Sequence, residues 1–155
     1  MKFSAREDIA APIDQVFDAL SDFESFERQA MRRGADLQRV DPLTQAGVGM
    51  RWQVAFKMRG RRRDVTIELK RYDTPNEMFF DLTSQNIDGT FTVELLALSR
   101  NRTRVSLALE IVPLTLSARL FVQSLKLAKS SLSKRFKLKF AEYARSLEDR
   151  LQRSA

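Results

Sequence analysis

Glu7 and Arg71 are ionisable residues that stand among alternating apolar residues, which makes them the candidates for chemistry in this 155-residue chain. A carboxylate that points inward must find a partner or take up a proton, because an isolated buried charge is costly. Two interpretations of Glu7 stay open: a polar anchor for a ligand, or a strand-end residue that reaches solvent or an arginine. Arg71 is the predicted partner of Glu7 or a second anchor.

Histidine and cysteine are both absent from the chain, and this removes several kinds of catalytic site. Zinc and copper lose their usual ligands. A Ser-His-Asp triad, a thiol nucleophile and a disulfide cannot be built. Any catalysis would rest on carboxylates, lysine, tyrosine or bound water. The composition therefore favours a protein without a catalytic centre, leaves an enzyme open, and predicts neither a metal nor a cofactor.

The first third of the chain predicts a strand followed by two short helices. Residues 2–10 alternate between apolar and polar types, as a half-buried strand does. Pro12 suits the first turn of a helix, since its missing N–H costs nothing there. Asp22 is a typical N-cap for a second helix, which Gly34 would end.

From Gly34 to about residue 112 the apolar residues recur with a period of two, which predicts antiparallel strands. Asp88–Gly89 is a hairpin-turn signal within this region, and Pro113 would end the last strand. The predicted strands lie near 50–58, 65–69, 78–82, 91–95 and 105–111.

Residues 116–152 change to helical spacing, with apolar residues stepping by three and four and no Gly or Pro between them. A single helix of this length would span roughly 50 Å. We therefore expect a break or kink at the serine-rich segment 130–133. The predicted buried stripe is Phe121, Leu125, Ala128, Leu132, Phe136, Phe140, Tyr143, Leu147 and Leu151.

Apolar residues on the inward faces of these elements are the candidates for a ligand cavity. Trp52 combines a large ring with one N–H donor, and methionine forms adaptable walls. Plain core packing is the alternative for each of them, because large side chains usually fill space. With Glu7 and Arg71, the predicted lining is Met50, Trp52, Val54, Phe56, Met78, Phe80, Phe121 and Leu125.

The net charge of +7 is unevenly distributed. Residues 28–63 carry ten bases and two acids, and residues 114–141 carry seven bases and no acid. The aromatic residues follow core spacing instead of joining the bases, so no nucleic acid is expected. We predict weak contact with an anionic membrane surface, with a solvated surface as the alternative. The predicted contact residues are Arg61, Arg62, Arg63, Lys129, Lys134 and Lys137.

The order of elements, together with the segment Ala10–Leu20 and the aromatic segment 22–26, resembles the START-like superfamily. Its members include polyketide cyclase/dehydrase-like proteins, lipid-transfer domains and birch-pollen-allergen-like proteins. The resemblance implies one α+β domain over residues 1–155 with the helix-grip fold. In that fold a curved antiparallel sheet of six to seven strands surrounds a long C-terminal helix, with two short helices after the first strand. It also implies a cavity between the sheet and that helix.

These observations favour non-catalytic binding or transport of a hydrophobic small molecule, such as a lipid, a quinone or a polyketide-like compound. One alternative is a cyclase or hydratase that uses Glu7 with Arg71 or a tyrosine. Another is an interaction module similar to the co-chaperone branch of the superfamily. The chain has no apolar run near 18 residues and no signal-peptide pattern at its start, so a cytoplasmic location is expected.

Overall fold

The computed structural model of the protein describes residues 1–154, and its α+β architecture confirms the predicted fold class. Four helices accompany one seven-stranded sheet. The elements in chain order are β1 (Lys2–Ile9), α1 (Ile13–Leu20), α2 (Phe23–Arg32), β2 (Asp36–Arg39), β3 (Arg51–Met58), β4 (Arg61–Asp73), β5 (Glu77–Thr83), β6 (Ile87–Ser99), β7 (Arg102–Pro113), α3 (Leu116–Leu127) and α4 (Lys129–Arg153).

The sheet is antiparallel throughout, with the strand order β1-β7-β6-β5-β4-β3-β2. After β1 the chain passes through both short helices to β2 at the opposite edge, and then returns strand by strand to β7. Alternating side chains place one apolar face toward the helices, because successive residues of a strand point to opposite sides. The four-residue strand β2 is the element that the alternation did not single out, since it is too short to show a pattern.

The helices α1 and α2 begin where their capping residues predict. Pro12 precedes the first turn of α1, which buries Val16, Phe17 and Leu20. The Asp22 carboxylate accepts a hydrogen bond from the Ser25 N–H at 3.3 Å at the start of α2. None of the helices within residues 1–154 combines the length and the apolar character that crossing a bilayer requires.

The C-terminal helical region is two helices, because the chain leaves helical geometry at Ala128 (φ −105°, ψ 13°). We expected the break within the serine-rich segment 130–133, and it lies just before that segment. The Thr115 hydroxyl caps α3 by accepting from the Ala118 N–H at 3.1 Å. The long helix α4 packs mainly along β1, where the Ala10 N–H donates to Glu148 Oε1 at 2.7 Å.

The predicted hairpin turn at Asp88–Gly89 is wrong, since both residues lie within β6. The turn comes earlier, at residues 84–86, where the Ser84 hydroxyl accepts from the Ile87 N–H at 2.9 Å. Gly89 has a role within the sheet, because a Cβ at this position would lie 2.8 Å from the Glu110 carbonyl oxygen. A close approach of two strands therefore explains this glycine.

Candidate functional site

A cavity of about 570 Å³ lies between the inner face of the sheet and the helices α2 and α4. Its volume falls within the range of pockets that hold small organic ligands. Eight of its lining residues are aromatic, and most of the others are aliphatic. The lining consists of Leu20, Phe23, Phe26, Glu27, Ala30, Leu37, Trp52, Val54, Ile67, Met78, Phe80, Leu82, Phe91, Val93, Leu107, Leu109, Phe136, Lys139, Phe140 and Tyr143.

Four rings form a continuous aromatic wall on one side of this cavity. Phe23 of α2 meets Trp52 edge-on, with the ring centroids 5.4 Å apart, and meets Phe80 at 6.2 Å. Phe91 extends the wall, 6.1 Å from Phe80. Tilted and edge-on pairs at these distances are favourable, because the positive edge of one ring faces the negative face of another. The wall therefore offers both ring faces and ring edges to a ligand.

Trp52 is held from outside the cavity by the edge strand β2. The Arg39 guanidinium lies 5.9 Å from the centre of the indole ring, and it donates two hydrogen bonds of 2.7 Å to the Asp41 carboxylate. The Asp41 carboxylate also accepts from the backbone N–H groups of Leu43 and Arg51, both at 2.9 Å. These donors, with Arg39 foremost, hold the pKa of the Asp41 carboxyl far below its ordinary value.

The indole N–H of Trp52 is the polar group of the aromatic wall. Within residues 1–154 the Nε1 atom is buried and has no hydrogen-bond partner, while 5% of the residue is exposed. A buried donor without a partner is uncommon, because leaving it unpaired costs free energy. Trp52 lines the cavity, so this unpaired donor lies within the cavity wall, although the Nε1 atom itself is not exposed.

Three ionisable side chains reach the cavity, Glu27 from α2 and both Lys139 and Tyr143 from α4. The Tyr143 ring packs 5.8 Å from that of Phe26. Burial raises the pKa of the Tyr143 phenol, and the nearby Arg150 opposes this shift in part. The phenol is therefore protonated at neutral pH and available as a hydrogen-bond donor.

Of the predicted lining residues, the structure brings Trp52, Val54, Met78 and Phe80 together around the cavity. Met50 lies instead in the closed core with 3% of its surface exposed. Phe56 belongs to the far end of β3, opposite Arg63 and beyond the cavity.

Phe121 and Leu125 also lie away from the cavity, because the break at Ala128 lets α3 pack on β7 and α4. Phe121 is covered by the guanidinium groups of Arg59 and Arg63, at 5.4 and 4.7 Å from the ring centre. These two residues are therefore corrected from cavity lining to the packing of α3.

Glu7 is on the inner face of β1, opposite Val105, but it does not line the cavity. The neighbouring acid, Asp8, is the one that finds arginine partners. Its carboxylate accepts from Arg104 at 2.9 and 3.3 Å and lies 3.5 Å from Arg102. These contacts, chiefly the hydrogen bond from Arg104, lower the pKa of the Asp8 carboxyl.

Arg71 lies on the outer face of the sheet, contrary to the prediction. A β-bulge between Leu69 and Arg71 shifts the pairing of β4 with β5 by one residue, and such a slip moves each following side chain to the other face. Arg71 therefore pairs with Glu77 at 2.6 Å, and Tyr72 packs against the core instead. Glu7 and Arg71 do not meet in one site.

The predicted basic contact residues are mostly at the surface. Arg61, Arg62, Lys129, Lys134 and Lys137 are exposed, and Arg62 forms an ion pair with Asp64 at 3.4 Å. Arg63 is the exception among the six, because it is half-buried against α3 and its Nε atom is buried.

Sequence reasoning did not place α2 at the cavity, although this helix supplies Phe23, Phe26, Glu27 and Ala30. Phe23, Phe26 and Ala30 follow one another at steps of three and four, but a core face and a cavity wall have the same pattern. The outer face of the sheet carries a second hollow, of about 610 Å³ between β2 and β5. Its walls are mostly polar, with residues such as Gln38, Gln53 and Thr66.

Solved structures of similar shape support this description of the fold. A protein from Thermus thermophilus is 18% identical, with 100% of this chain and 99% of that chain covered at a TM-score of 0.68. An aromatase/cyclase from Streptomyces is 12% identical over 97% and 95% of the two chains, also at 0.68. Norcoclaurine synthase from Thalictrum flavum, in complex with dopamine and hydroxybenzaldehyde, is 10% identical over 100% and 88% at 0.66. Identities this low show a shared fold alone.

A search of curated proteins finds no match to this chain. A family model does match, described as polyketide cyclase/dehydrase and lipid transport, and it covers residues 1–148. This match spans the whole sheet, all of α2 and most of α4. The chain therefore belongs to the polyketide cyclase/dehydrase and lipid transport family.

Proposed function

We propose that this protein binds and carries an apolar, ring-containing small molecule in the cavity beneath α4. The observation that carries this proposal is the lining itself, in which eight aromatic residues and a larger number of aliphatic ones surround about 570 Å³. Transfer of an apolar ligand from water to such a surface is favourable by about 25 cal/mol for each Å² of apolar area removed from water.

The few polar groups of the cavity suggest how such a ligand is oriented. Glu27, Lys139 and Tyr143 all come from the helices, whereas the sheet residues of the lining are apolar apart from the buried indole N–H of Trp52. A ligand with one hydrogen-bonding end, such as a hydroxyl, carbonyl or carboxylate group, would direct that end toward the helices. Its rings would then pack against Phe23, Phe80 and the rest of the aromatic wall.

A cyclase-type reaction is the rival function within the same family. The acid–base pair that we predicted from Glu7 and Arg71 is not assembled, so this rival rests on Tyr143, a protonated phenol in the cavity. Tyr143→Phe distinguishes the two functions. A carrier keeps its affinity for an apolar fluorophore within about threefold, because the hydroxyl of Tyr143 contributes little to binding an apolar ligand. An enzyme that uses this hydroxyl loses turnover.

Filling the cavity tests the proposal. Ala30→Phe combined with Val54→Phe adds two rings to the lining, one from α2 and one from β3. We expect the affinity for the neutral fluorophore N-phenylnaphthylamine to fall by about tenfold or more, because the ligand loses the space it occupies. The free energy of unfolding should hold or rise, since filling a cavity stabilises many proteins.

The matched control uses the neighbouring outward residues. Gln29→Phe combined with Gln53→Phe adds the same two rings at exposed positions of α2 and β3, and it should leave the affinity unchanged. If the filled variant binds the fluorophore as tightly as the wild-type protein does, the ligand is elsewhere and the proposal is wrong.

A further inference from the structure

The helix α3 exposes large apolar side chains on a surface that no part of residues 1–154 covers. Leu116, Leu120 and Leu127 have 75%, 61% and 92% of their surface exposed. Leu114, just before the helix, is half exposed. Single exposed leucines are ordinary, but a group of them on one short element marks an interaction surface.

These leucines form one stripe on the side of α3 that faces away from the protein. At 100° per residue, the three lie within about 40° of one another around the helix axis. The buried residues Ala118 and Val122 fall on the opposite side. The helix is therefore apolar on two faces, and only one of them is used within the fold. An apolar helix face normally packs against a neighbour.

Basic side chains stand on both flanks of the leucine stripe. On one flank the sequence places Arg119 and Lys126, both exposed. On the other flank the β3–β4 hairpin reaches α3, where Arg59 Nη1 donates to the Ser124 hydroxyl at 2.8 Å. Arg59 and Gly60 form the hairpin turn with positive φ values of 52° and 74°, which keeps the two strands tightly joined.

The charge around this surface favours an anionic partner over a second copy of the chain. Residues 114–141, which include all of α3, carry seven bases and no acid. Two copies that met through this stripe would bring these bases face to face, and like charges oppose association. An anionic bilayer supplies the complementary charge and also an apolar layer for the leucines.

We infer that the outer face of α3 docks on anionic lipid bilayers, with Leu116, Leu120 and Leu127 inserted below the headgroups. Arg119, Lys126 and the exposed arginines of the β3–β4 hairpin contact the headgroups at the same time. This surface is separate from the cavity, whose lining includes no residue of α3. The inference therefore stands independently of the proposed ligand.

Vesicle flotation of the full-length protein tests this inference. The probes are vesicles of phosphatidylcholine alone and of an equimolar mixture of phosphatidylcholine and phosphatidylserine. We expect the wild-type protein to float with the mixed vesicles, and to do so less as salt rises, because salt screens the contacts of the bases. Leu116→Ser combined with Leu120→Ser and Leu127→Ser should lower the partition coefficient by about tenfold or more, since insertion of the apolar side chains is lost.

The charge variant tests the second half of the contact. Arg119→Glu combined with Lys126→Glu should lower binding by about thirtyfold or more, because each basic residue near an anionic leaflet contributes about fivefold. The matched control, Arg100→Glu combined with Arg145→Glu, makes the same change of net charge at exposed residues of the β6–β7 turn and of α4. It should retain most of the binding.

A second control, Leu96→Ser combined with Leu98→Ser, removes exposed leucines of β6, and it should bind as the wild type does. Circular dichroism verifies that each variant is folded. The inference is overturned if the wild-type protein ignores the mixed vesicles at low salt, or if both α3 variants bind as tightly as their controls. A dimer in solution that the leucine variant dissociates would also overturn it, since the stripe would then bind a second copy.

Discussion

The inner face of the sheet has a closed half and an open half, although both are built from the same kinds of apolar residue. In the closed half, Ile9, Val16, Phe17, Val105 and Leu147 have at most 1% of their surface exposed. In the open half most of the rings that line the cavity are only partly buried, among them Phe23, Phe80, Phe91 and Phe136.

The positions of the helices explain this difference. The helix α1 packs on β6 and β7, and its Val16 and Phe17 are almost completely buried. In contrast, α2 contacts mainly β2 and α4 mainly β1, which are the two edge strands. The strands between them lie beneath a gap that the side chains do not fill. The strands on which the helices pack therefore decide where the cavity forms, although both halves of the sheet carry the same types of apolar residue.

The largest expected effect is a contrast in stability between the two halves. Phe17→Ala should lower the free energy of unfolding by about 3–5 kcal/mol, as deletion of a fully packed ring does. Phe80→Ala should cost only about 1–2 kcal/mol, because part of its ring already faces open space. Urea unfolding of both variants measures the contrast. Equal losses would mean that the open half is as well packed as the closed one.

A smaller effect on stability is expected at the edge of the open half, where the Asp41 carboxylate binds Arg39 next to the Trp52 ring. Asp41→Asn should lower the free energy of unfolding by about 1–3 kcal/mol near neutral pH, because hydrogen bonds to a charged group are lost. The control Asp36→Asn changes an exposed acid of β2, the strand that ends just before Asp41, and its free energy of unfolding should stay within about 0.5 kcal/mol of the wild-type value.

The same variant predicts a pH dependence. The pKa of the Asp41 carboxyl is lowered in the folded state, so its stabilisation is complete above the ordinary value of about 3.9. It is lost as the pH falls below that value toward the folded pKa. The advantage of the wild-type protein over Asp41→Asn should therefore shrink below about pH 4. An advantage that stays constant down to about pH 2 would show that the Asp41 charge is not the cause.

The smallest effect separates two neighbouring acids of β1. Asp8→Asn removes the charge that Arg104 and Arg102 contact, and it should lower the thermal unfolding midpoint by about 2 °C. Glu7→Gln should leave the midpoint within about 1 °C. Differential scanning calorimetry makes this measurement. A larger drop in the midpoint for Glu7→Gln than for Asp8→Asn would show that Glu7, and not Asp8, is the acid that stabilises the fold.

Local patterns predicted most of the fold. Alternation located six of the seven strands, Pro12 and Asp22 located the starts of the short helices, and the serine-rich segment predicted the break near Ala128. Each of these features depends on residues that are close in sequence, so a local pattern is enough to predict it.

The site was less predictable, because it depends on pairing between distant residues. Alternation assigned Arg71 inward, and the bulge after Leu69 reversed that assignment. Gly89 matched a turn signal although its role is the close approach of Glu110 from another strand. Trp52 in an alternating strand and Phe121 in a helical stripe were both predicted to face inward, yet only Trp52 lines the cavity. No local pattern distinguishes a cavity wall from a packed core.

Energy transfer from Trp52 tests the central claim most directly. Trp52 is the single tryptophan of the chain and lines the cavity, so its emission reports on a ligand bound there. Titration with N-phenylnaphthylamine should quench the Trp52 emission and raise that of the fluorophore, saturating at one molecule for each protein chain. A fluorophore that binds without quenching Trp52, or quenching that never saturates, would contradict the account of this cavity as the ligand site.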